Sequence, residues 1–427
     1  MRISTSMLYN LGVNAMQSKS AELLHTQQQV ASGRRVLTPS DDPVAASHAL
    51  EVGQASAINA QYAINQQNAT ENLAMTEQQL SAASEVIQYV RSLAVQSGTP
   101  ALNAADRRSI AADLRGRFDE MLGIANATDG RGNYLFGGYS SNGIPFSGSV
   151  EAGVTYNGDD GRRELQVAAS RSLPVSAAGS DIFMRVVNGN GLFSTSASAN
   201  NTGSASIDYG TVINADAWRA TGNSGDYSIR FSQAGASPTY DIVDNASGIS
   251  LLTGNPAAPG PYPRTYTPGA SIPLSSQGAE PPFDLGASVI VSGNPSNGDS
   301  FRLLDGSSQS LFATLGNLIT ALEAPQTTAG AANSQLMNSV ADALTGFDHA
   351  LENVNRTRAS VGAASNEVDA LANSNSDLSI QYADTLSKLQ DLDYSSALAT
   401  LSQQQMVLEA AQKSFTKVAS LSLFSFI

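Results

Sequence analysis

Residues 73–94, LAMTEQQLSAASEVIQYVRSLA, decide the fold, because their apolar residues recur at the spacing of a coiled-coil helix. Leu73, Leu80, Ile87 and Ala94 are seven residues apart, and Val90 follows Ile87 by three. Such a repeat aligns apolar side chains in one stripe, on which a second helix can pack. We expect a helix over residues 44–97, on the order of 80 Å long at about 1.5 Å per residue. This length suits a rod better than a compact domain.

Three further segments carry comparable stripes. They consist of Ile110, Leu114, Phe118, Met121 and Ala125; of Val340, Leu344, Phe347, Leu351, Val354, Arg358 and Val361; and of Leu398, Leu401, Gln405, Leu408, Gln412 and Phe415. A helical bundle within a monomer uses the same spacing and is the alternative. However, Gln405 and Gln412 interrupt the last stripe, and the first helix, Leu8 to Val30, has few apolar anchors. We expect these two segments to be too weak to fold alone.

The middle of the chain has the pattern of β-strands. Tyr227, Ile229 and Phe231 alternate with polar residues, which is the period of a half-buried strand. Asn157-Gly158 and Asn297-Gly298 are typical hairpin turns, and we expect residues 154–156 and 165–167 to flank the first of them. The proline-rich stretch 252–285 is expected to form loop or edge strand.

These patterns predict an α+β protein in which both chain ends form an α-helical coiled-coil rod and a mainly β middle domain is inserted. We expect terminal assembly segments at 1–42 and 385–427. The helical rod with a β-hairpin would comprise 43–170 and 306–384, and the inserted outer domain 171–305.

Composition excludes several classes of partner and site. The chain has 427 residues and a formal net charge of −14, so phosphate backbones repel it and nucleic acid is not an expected partner. It has no cysteine, which excludes disulfides and thiolate metal sites. Charged residues make up 14%. A surface of uncharged polar groups desolvates cheaply, which suits subunit packing, although a low-charge secreted surface has the same composition.

No segment has the pattern of a membrane span or a cleaved secretory signal. A span needs about 18 or more apolar residues in a row, and the sequence has no such run. Ser4, Thr5, Ser6 and Asn10 interrupt the apolar residues that follow Met1 and Arg2. If the protein leaves the cell, it needs another route.

A search for reactive constellations finds none. His25, His48 and His349 are scattered, and no zinc-protease, phosphate-loop or hydrolase-elbow motif occurs. The stretch 157–161 lacks the alternating ligands and the closing Glu of an EF-hand, so a tight turn is the better interpretation. We predict no catalytic, cofactor-binding or metal-binding residue.

Acidic residues near helix starts are better explained as caps. Ser40 or Asp41 is expected to cap a helix with Pro43 in its first turn. Asp391 and Asp393 precede the last stripe, where negative charge favours the positive end of the helix dipole.

Several motifs together resemble the bacterial flagellin family, including its hook-associated members. They are Met1-Arg2-Ile3-Ser4-Thr5, Ala31-Ser32-Gly33-Arg34-Arg35, Pro39-Ser40-Asp41-Asp42-Pro43, Asn65, Ala125-Asn126, Gly132-Asn133-Tyr134-Leu135-Phe136-Gly137-Gly138, Gly158-Asp159 with Gly179, Asp181 and Phe183, Gly293-Asn294-Pro295 with Gly298-Asp299-Ser300-Phe301, and Asp391-Leu392-Asp393-Tyr394. The resemblance covers about residues 1–185 and 310–427. The segment Tyr134-Leu135-Phe136-Gly137-Gly138 is similar to the version in hook–filament junction proteins.

The resemblance implies a flagellin-like structural subunit of the bacterial flagellum, forming the junction layer between hook and filament and needed for filament attachment. It implies no enzymatic activity and no cofactor. The implied partners are hook-associated protein 1, flagellin, further copies of the chain in a ring layer, and a cytoplasmic export chaperone. The implied location is the extracellular flagellum, reached through the flagellar type III apparatus without a cleaved signal peptide.

The resemblance and the terminal stripes together suggest which residues make these contacts. We expect assembly contacts from Arg2, Ile3, Leu8, Leu11, Leu398, Leu401, Leu408 and Phe415. We expect the chaperone to hold an apolar tail formed by Leu421, Leu423, Phe424, Phe426 and Ile427, for which a plain buried helix end is the alternative. Segments that bury little surface alone become ordered when they bind a partner.

Three other functions remain open from the sequence. Filament flagellin belongs to the same structural class. An adhesin-like binding module could be carried by the middle domain, and an enzyme could be hidden there.

Overall fold

The computed structural model describes residues 5–99, 102–235, 237–324 and 329–424. Within these ranges the helices are α1 Thr5–Ser32, α2 Pro43–Ser97, α3 Ala104–Ala125, α4 Ala215–Trp218, α5 Leu311–Glu323, α6 Ala329–Gln390 and α7 Tyr394–Phe424. A middle region of antiparallel strands separates α3 from α5, so the predicted α+β class is confirmed. Helix α2 has 55 residues, as expected for 44–97, and α6 has 62.

The strands of the described residues are short and antiparallel. They are β1 Phe146–Ser149, β2 Gly153–Tyr156, β3 Glu164–Ala168, β4 Arg171–Pro174, β5 Val186–Val187, β6 Phe193–Ala197, β7 Ser206–Ile207, β8 Thr211–Val212, β9 Asp226–Ser232, β10 Thr239–Asp244, β11 Ile249–Ser250, β12 Arg264–Thr265, β13 Ser271–Ser275, β14 Asp284–Ser292, β15 Ser300–Asp305 and β16 Ser308–Gln309. A π-helical turn, Ser180–Met184, precedes β5.

Contacts along the chain define two units, each of which is described by itself. Unit 1 comprises Met1–Gln67, Gln166–Arg171 and Asp369–Ile427. Unit 2 comprises Asn68–Leu165 and Ser172–Val368. The domain limits expected from the sequence stay predictions.

In unit 1, two buried asparagines connect α2 with α6. The Asn59 Nδ2 donates to the Asn375 carbonyl at 2.9 Å, and the Asn375 Nδ2 donates to the Asn59 carbonyl at 3.0 Å. A buried amide pair of this kind is satisfied in one alignment only, so it specifies the register of two long helices. Asn65, a residue of the family resemblance, donates to the Gln166 carbonyl at 2.7 Å.

Unit 2 contains a core of aromatic rings. Phe312 of α5 lies 5.7 Å from Phe118 of α3, 5.8 Å from Phe146 of β1 and 6.2 Å from Phe183, measured between ring centroids. All four side chains are at most 1% exposed. Phe118 was expected in an apolar stripe, and the structure buries it.

The charged residue in the predicted stripe of α6 is explained by an ion pair in unit 2. Arg358 Nε and Nη2 lie 2.8 and 2.6 Å from Glu77 Oε1. Further along the same two helices, Arg91 of α2 contacts both carboxylate oxygens of Asp348 at 2.6 and 3.3 Å. Arg358 therefore completes a polar contact at a position that the heptad spacing alone would assign to an apolar residue.

The middle of unit 2 is a sandwich of two antiparallel sheets. One has the order β11-β10-β9-β15-β6 with β12 beside β10, and the other has the order β13-β14-β7 with β8 also beside β14. Apolar side chains from both sheets share one core, including Ile229, Phe231, Val289 and Val291. The strand predicted at Tyr227, Ile229 and Phe231 is β9, and all three side chains are buried. It is not the half-buried strand that the alternation predicted, because Ser228 and Ser232 are buried as well. Pro273 lies in β13, an edge strand, as predicted for this stretch.

Both hairpin predictions at Asn-Gly pairs are wrong. The strands before and after Asn157 do not pair with each other, because β2 pairs with β1 and β3 pairs with β4. The strands before and after Asn297 belong to different sheets of the sandwich. Asn157 instead donates its backbone N–H to the Pro145 carbonyl at 2.7 Å. The dipeptide marks a turn, whereas strand pairing depends on long-range contacts that the turn does not encode.

Candidate assembly surface

Helices α1 and α7 pack along each other in unit 1. The least exposed positions of α7 repeat in steps of four and three: Ala397, Leu401, Gln404, Leu408, Ala411 and Phe415. A matching series on α1 runs through Gly12, Met16, Lys19, Leu23, Thr26 and Val30. This alternation is the heptad spacing, so the two helices form a short coiled coil within one chain, named here the α1/α7 pair.

The seam of the α1/α7 pair is only partly buried. Of the residues whose burial is described in these helices, only Thr26 and Ala397 are buried, at 6% and 7% exposure. Gln404 lies in the seam, and its buried Oε1 finds no hydrogen-bond donor in the described part of the chain. Ordering a backbone costs about 1–2 kcal/mol per residue, and the partial apolar burial within this pair offsets less of that cost than a fully buried seam would.

Large apolar side chains remain on the outside of the α1/α7 pair. Their exposed fractions are Met7 57%, Tyr9 56%, Leu11 56%, Leu24 56%, Leu398 50%, Met406 71% and Val407 43%. An exposed apolar face beside a weakly buried seam is typical of a surface that another chain covers.

An aromatic contact joins the first turns of α1 to the second half of α7. The rings of Tyr9 and Phe415 are 5.1 Å apart between centroids. Gly12 makes room for Phe415, because a Cβ at this position would lie 2.8 Å from the ring carbon Cδ2. Phe415 is thus placed by a residue that has no side chain.

The turn between α1 and α2 is tied to the end of α6 by Arg35. Its backbone N–H donates to the Gln390 carbonyl at 2.7 Å, and its Nη2 donates to the Leu389 carbonyl at 2.9 Å. Its Nη1 contacts Asp42 Oδ2 at 3.1 Å. The last carbonyls of a helix have no partner within the helix and carry partial negative charge, so Arg35 supplies both the hydrogen bonds and the charge that they need.

The turn between α6 and α7 contacts the same segment. The Leu392 N–H donates to the Gly33 carbonyl at 3.0 Å. Gly33 has a φ of +72°, and a Cβ there would lie 3.0 Å from the Tyr394 hydroxyl oxygen. The Gly33-Arg34-Arg35 and Asp391-Leu392-Asp393-Tyr394 motifs, far apart in sequence, therefore meet in one place.

Two neighbouring aspartates have separate roles in this turn. Asp41 Oδ2 accepts the backbone N–H groups of Thr38 at 2.8 Å and Leu37 at 2.9 Å, and such bonds, that of Thr38 first, lower the pKa of Asp41 to about 2. Asp42 accepts the Ala45 N–H at 2.9 Å, which lowers the pKa of Asp42. The predicted cap, Ser40 or Asp41, is wrong by one or two residues. Asp42 caps α2, because Asp41 is engaged in its own turn, and Pro43 is the first residue of the helix.

The predicted acidic start of α7 is confirmed for Asp393. The hydroxyl of Ser395 donates to Asp393 Oδ1 at 2.7 Å and lowers the pKa of the carboxyl, helped by the backbone N–H groups of Ser395 and Ser396. Charge near the first turn also favours the helix dipole.

The predicted assembly residues divide into three groups. Leu401, Leu408 and Phe415 lie in the seam of the α1/α7 pair, whereas Leu11 and Leu398 are exposed. Arg2, Ile3, Phe426 and Ile427 lie outside the described residues, and so do the side chains of Leu8, Leu421, Leu423 and Phe424. The expectation that Gln405 and Gln412 stand in the seam is wrong for the contact with α1, because both are exposed. The seam follows Ala397 and Gln404, one residue earlier on the helix.

Sequence reasoning missed Arg35 and the Asn59–Asn375 pair. Arg35 was noted only as part of a motif, and nothing local shows that it reaches helix α6. Asn59 and Asn375 each fall in a helix rich in polar residues, where a buried amide looks like its exposed neighbours. For the two asparagines, the signal that could have found them is a polar residue at a position that the heptad spacing would bury.

We also looked for metal-ligand clusters, membrane-spanning helices and charged cavities in the part of the chain that the structure describes. Those residues include no group of three or more metal-ligating side chains. None of the described helices combines the length and the apolar character that crossing a membrane requires. A cavity of about 460 Å³ in unit 2 is lined by Arg162, Asp181 and Arg185 among others. There Asp181 lies 2.8 Å from Arg185 and 3.3 Å from Arg162, and Arg185 also pairs with Asp160, so both arginines are held in ion pairs.

The chain is similar to known flagellar proteins. A family described as the bacterial flagellin N-terminal helical region matches residues 3–141. The flagellar hook-associated protein 3 of Salmonella typhimurium is 37% identical over 183 residues, which cover 43% of this chain and 57% of that protein. The aligned part therefore spans little more than half of the Salmonella protein.

Two further similarities extend over most of the chain. The flagellar hook-associated protein 3 of Escherichia coli is 27% identical over 424 residues, 99% of both proteins. The crystal structure of the flagellar junction protein FlgL from Legionella pneumophila has a TM-score of 0.67 and 26% identity, and the similarity covers 81% of this chain and all of that one.

Proposed function

We propose that the chain, which is similar to flagellar hook-associated protein 3 over nearly its whole length, is a structural subunit of the junction between hook and filament of the bacterial flagellum. The observation that carries this proposal is the α1/α7 pair, whose seam is only partly buried within the chain and whose outer face exposes large apolar side chains. Neighbouring subunits in a layer would cover these side chains. A head-to-tail contact of this kind generates a ring or a helix.

The further partners and the route of export follow from the same proposal. The hook-associated protein 1 on one side, flagellin on the other and copies of the chain within the layer would complete the seam. A helix pair whose seam is only partly buried opens at a low free-energy cost. Easy opening suits passage through the flagellar type III apparatus and capture by a cytoplasmic chaperone. The subunit acts by packing and catalyses no reaction in this proposal.

The proposal is tested by placing one charge on the exposed face of α7. Met406→Asp adds a carboxylate at a side chain that is 71% exposed, so the free protein should fold as before. In cells that lack the native gene, filaments should fail to attach to hooks, because the layer would bury an unpaired charge. Electron microscopy of hooks and a swimming assay measure the loss.

Ile213→Asp is the matched control, since Ile213 in unit 2 is equally exposed at 71%. It should leave filament attachment intact. Equal loss in both variants, or normal attachment with Met406→Asp, would contradict a role of the α1/α7 pair in assembly.

A second test separates the junction from two of the rival functions, filament flagellin and an adhesin. Purified chain added to filament seeds should add a layer and stop, whereas a filament flagellin would extend the seeds. Replacing 189–306 by a short linker removes the sandwich and keeps the pairing of β5 with β16. Filament attachment should survive this deletion at least in part, which an adhesin carried by the middle domain does not predict.

A further inference from the structure

The five Asn-Gly dipeptides of the chain lie in different structural environments. Asn-Gly pairs begin at Asn142, Asn157, Asn188, Asn190 and Asn297. An asparagine followed by glycine is the dipeptide most open to spontaneous deamidation, because the backbone nitrogen of a residue without a Cβ can reach the side-chain amide carbon. Local sequence makes all five candidates, so the structure decides among them.

Two of the pairs are held by their side chains. Asn190 Oδ1 accepts the N–H groups of Leu192 at 3.1 Å and Phe193 at 3.0 Å. Asn157 Nδ2 donates to Ser147 Oγ at 2.9 Å, and the backbone N–H of Asn157 is also bonded. Side chains fixed in this way cannot turn freely toward the following nitrogen.

Two further pairs are held by their backbones. The N–H of Gly298, which would be the attacking group at Asn297, donates to the Phe231 carbonyl at 3.0 Å. The N–H of Asn188 donates to the Ser307 carbonyl at 3.0 Å, and Gly189 packs against the Phe193 carbonyl. The nucleophile at Gly298 and the chain at Asn188 are thus constrained.

Asn142 and Gly143 lack all of these restraints. Both are exposed in a turn, and within the described ranges no residue forms a hydrogen bond with the Asn142 side chain or the Gly143 N–H. No atom lies within 4 Å of a Cβ built on Gly143. The backbone of the preceding residue, Ser141, is still restrained, since its carbonyl accepts the Tyr134 N–H at 2.8 Å.

We propose that Asn142 is a site of spontaneous deamidation, selected by the structure from the five Asn-Gly pairs. The Gly143 nitrogen forms a bond to the Asn142 Cγ and loses its proton, and the side-chain nitrogen leaves as ammonia. Water then opens the resulting succinimide at either carbonyl, which gives aspartate or isoaspartate. No electron is transferred and no reagent other than water is consumed.

The modification would change an exposed surface of unit 2. Both products add a negative charge, and isoaspartate also inserts the side-chain methylene into the backbone. The same loop carries Tyr139 and Ile144, which are 68% and 57% exposed. The protein would therefore acquire a second form of this loop with age.

The test uses an internal control that the sequence provides. Trypsin releases residues 132–162 as one peptide, because the segment between Arg131 and Arg162 contains no other lysine or arginine, and it holds both Asn142 and Asn157. Purified full-length protein is incubated at mildly alkaline pH, folded or in urea, then transferred to a urea-free buffer just below neutral pH and digested briefly, so that trypsin still cleaves while further deamidation is slow. Fragment-ion mass spectrometry then locates the exchange of NH for oxygen at each asparagine.

In the folded protein, Asn142 should deamidate several-fold faster than Asn157, and in urea the two rates should converge. Asn142→Gln should abolish the fast reaction. The proposal is overturned if the folded protein modifies both sites equally, or if it leaves Asn142 intact while the unfolded chain reacts.

Discussion

The α1/α7 pair and the aromatic core of unit 2 both include a helix whose apolar residues recur every three or four positions, α7 in the first and α3 in the second, yet they differ in what they bury. Around Phe312 four phenylalanine side chains are at most 1% exposed, whereas the seam of the α1/α7 pair buries no large apolar side chain among its described residues. Similar helical spacing of apolar residues therefore occurs both in the well-buried core of unit 2 and in the partly exposed α1/α7 pair. The residues placed at the spaced positions decide between the two.

The largest expected contrast is in hydrogen exchange of the free monomer. Amides of α1 and α7 should exchange through openings that cost little, whereas those of α3 and α5 should approach the global free energy of unfolding, about 5–15 kcal/mol for ordinary proteins. Mass spectrometry of peptides from the two regions measures this difference. Equal protection of the two regions would show that the α1/α7 pair is as stable as the aromatic core, and would contradict the proposal that neighbouring subunits complete the seam.

The next largest effect is expected from truncating the aromatic core. Phe312→Ala removes the ring that contacts Phe118, Phe146 and Phe183, and should lower the free energy of unfolding of unit 2 by about 3–5 kcal/mol. Urea denaturation measures the loss. Leu398→Ala is the control: at 50% exposure it should leave the stability of the monomer nearly unchanged.

Replacing the Asn59–Asn375 pair should change the free energy of unfolding less than Phe312→Ala does, but should change the register of α2 against α6 more. Asn59→Leu removes one hydrogen bond and should cost about 0.5–1.5 kcal/mol. The double variant Asn59→Leu/Asn375→Leu should stay folded but align α2 and α6 in more than one register, since apolar side chains are satisfied in any alignment.

Engineered cysteine pairs report the register, because the chain has no cysteine of its own. The control is Asn72→Leu, whose Nδ2 bonds only within its own helix, to the Asn68 carbonyl at 2.9 Å. If the double variant gives a single set of crosslinks, identical to the parent, the pair does not specify the register.

The smallest effect is the response of the Asp41 turn to acid. The pKa of Asp41 is about 2 in the folded chain and 3.8 in a free carboxyl, so the turn is stabilised above pH 3.8 and loses this contribution as the pH falls through 2. The amide resonances of Leu37 and Thr38 should titrate near the lower value and should not titrate in Asp41→Asn. A midpoint near 3.8 would show that the two backbone bonds do not persist in solution.

Much of the fold was predictable because its signals are local. The heptads of α2 and α6, the strand β9 and the acidic start of α7 each depend on neighbouring residues, and the structure confirms them. The hairpins at Asn157 and Asn297, the cap of α2 and the positions of Gln405 and Gln412 were predicted wrongly. In each case a contact with a distant segment, or a competing local bond, decided the outcome.

The sequence by itself determined the helices with their heptad spacing, the strand-rich middle and the family to which the chain is similar. Only the tertiary structure decided which strands pair, which side of α7 faces α1, and that Arg35 closes the end of α6. It also decided that Asn59 meets Asn375 across 316 positions of sequence. The reason is physical: periodicity is fixed by the geometry of one helix or strand, whereas pairing is fixed by free energies summed over residues that come together only in the folded chain.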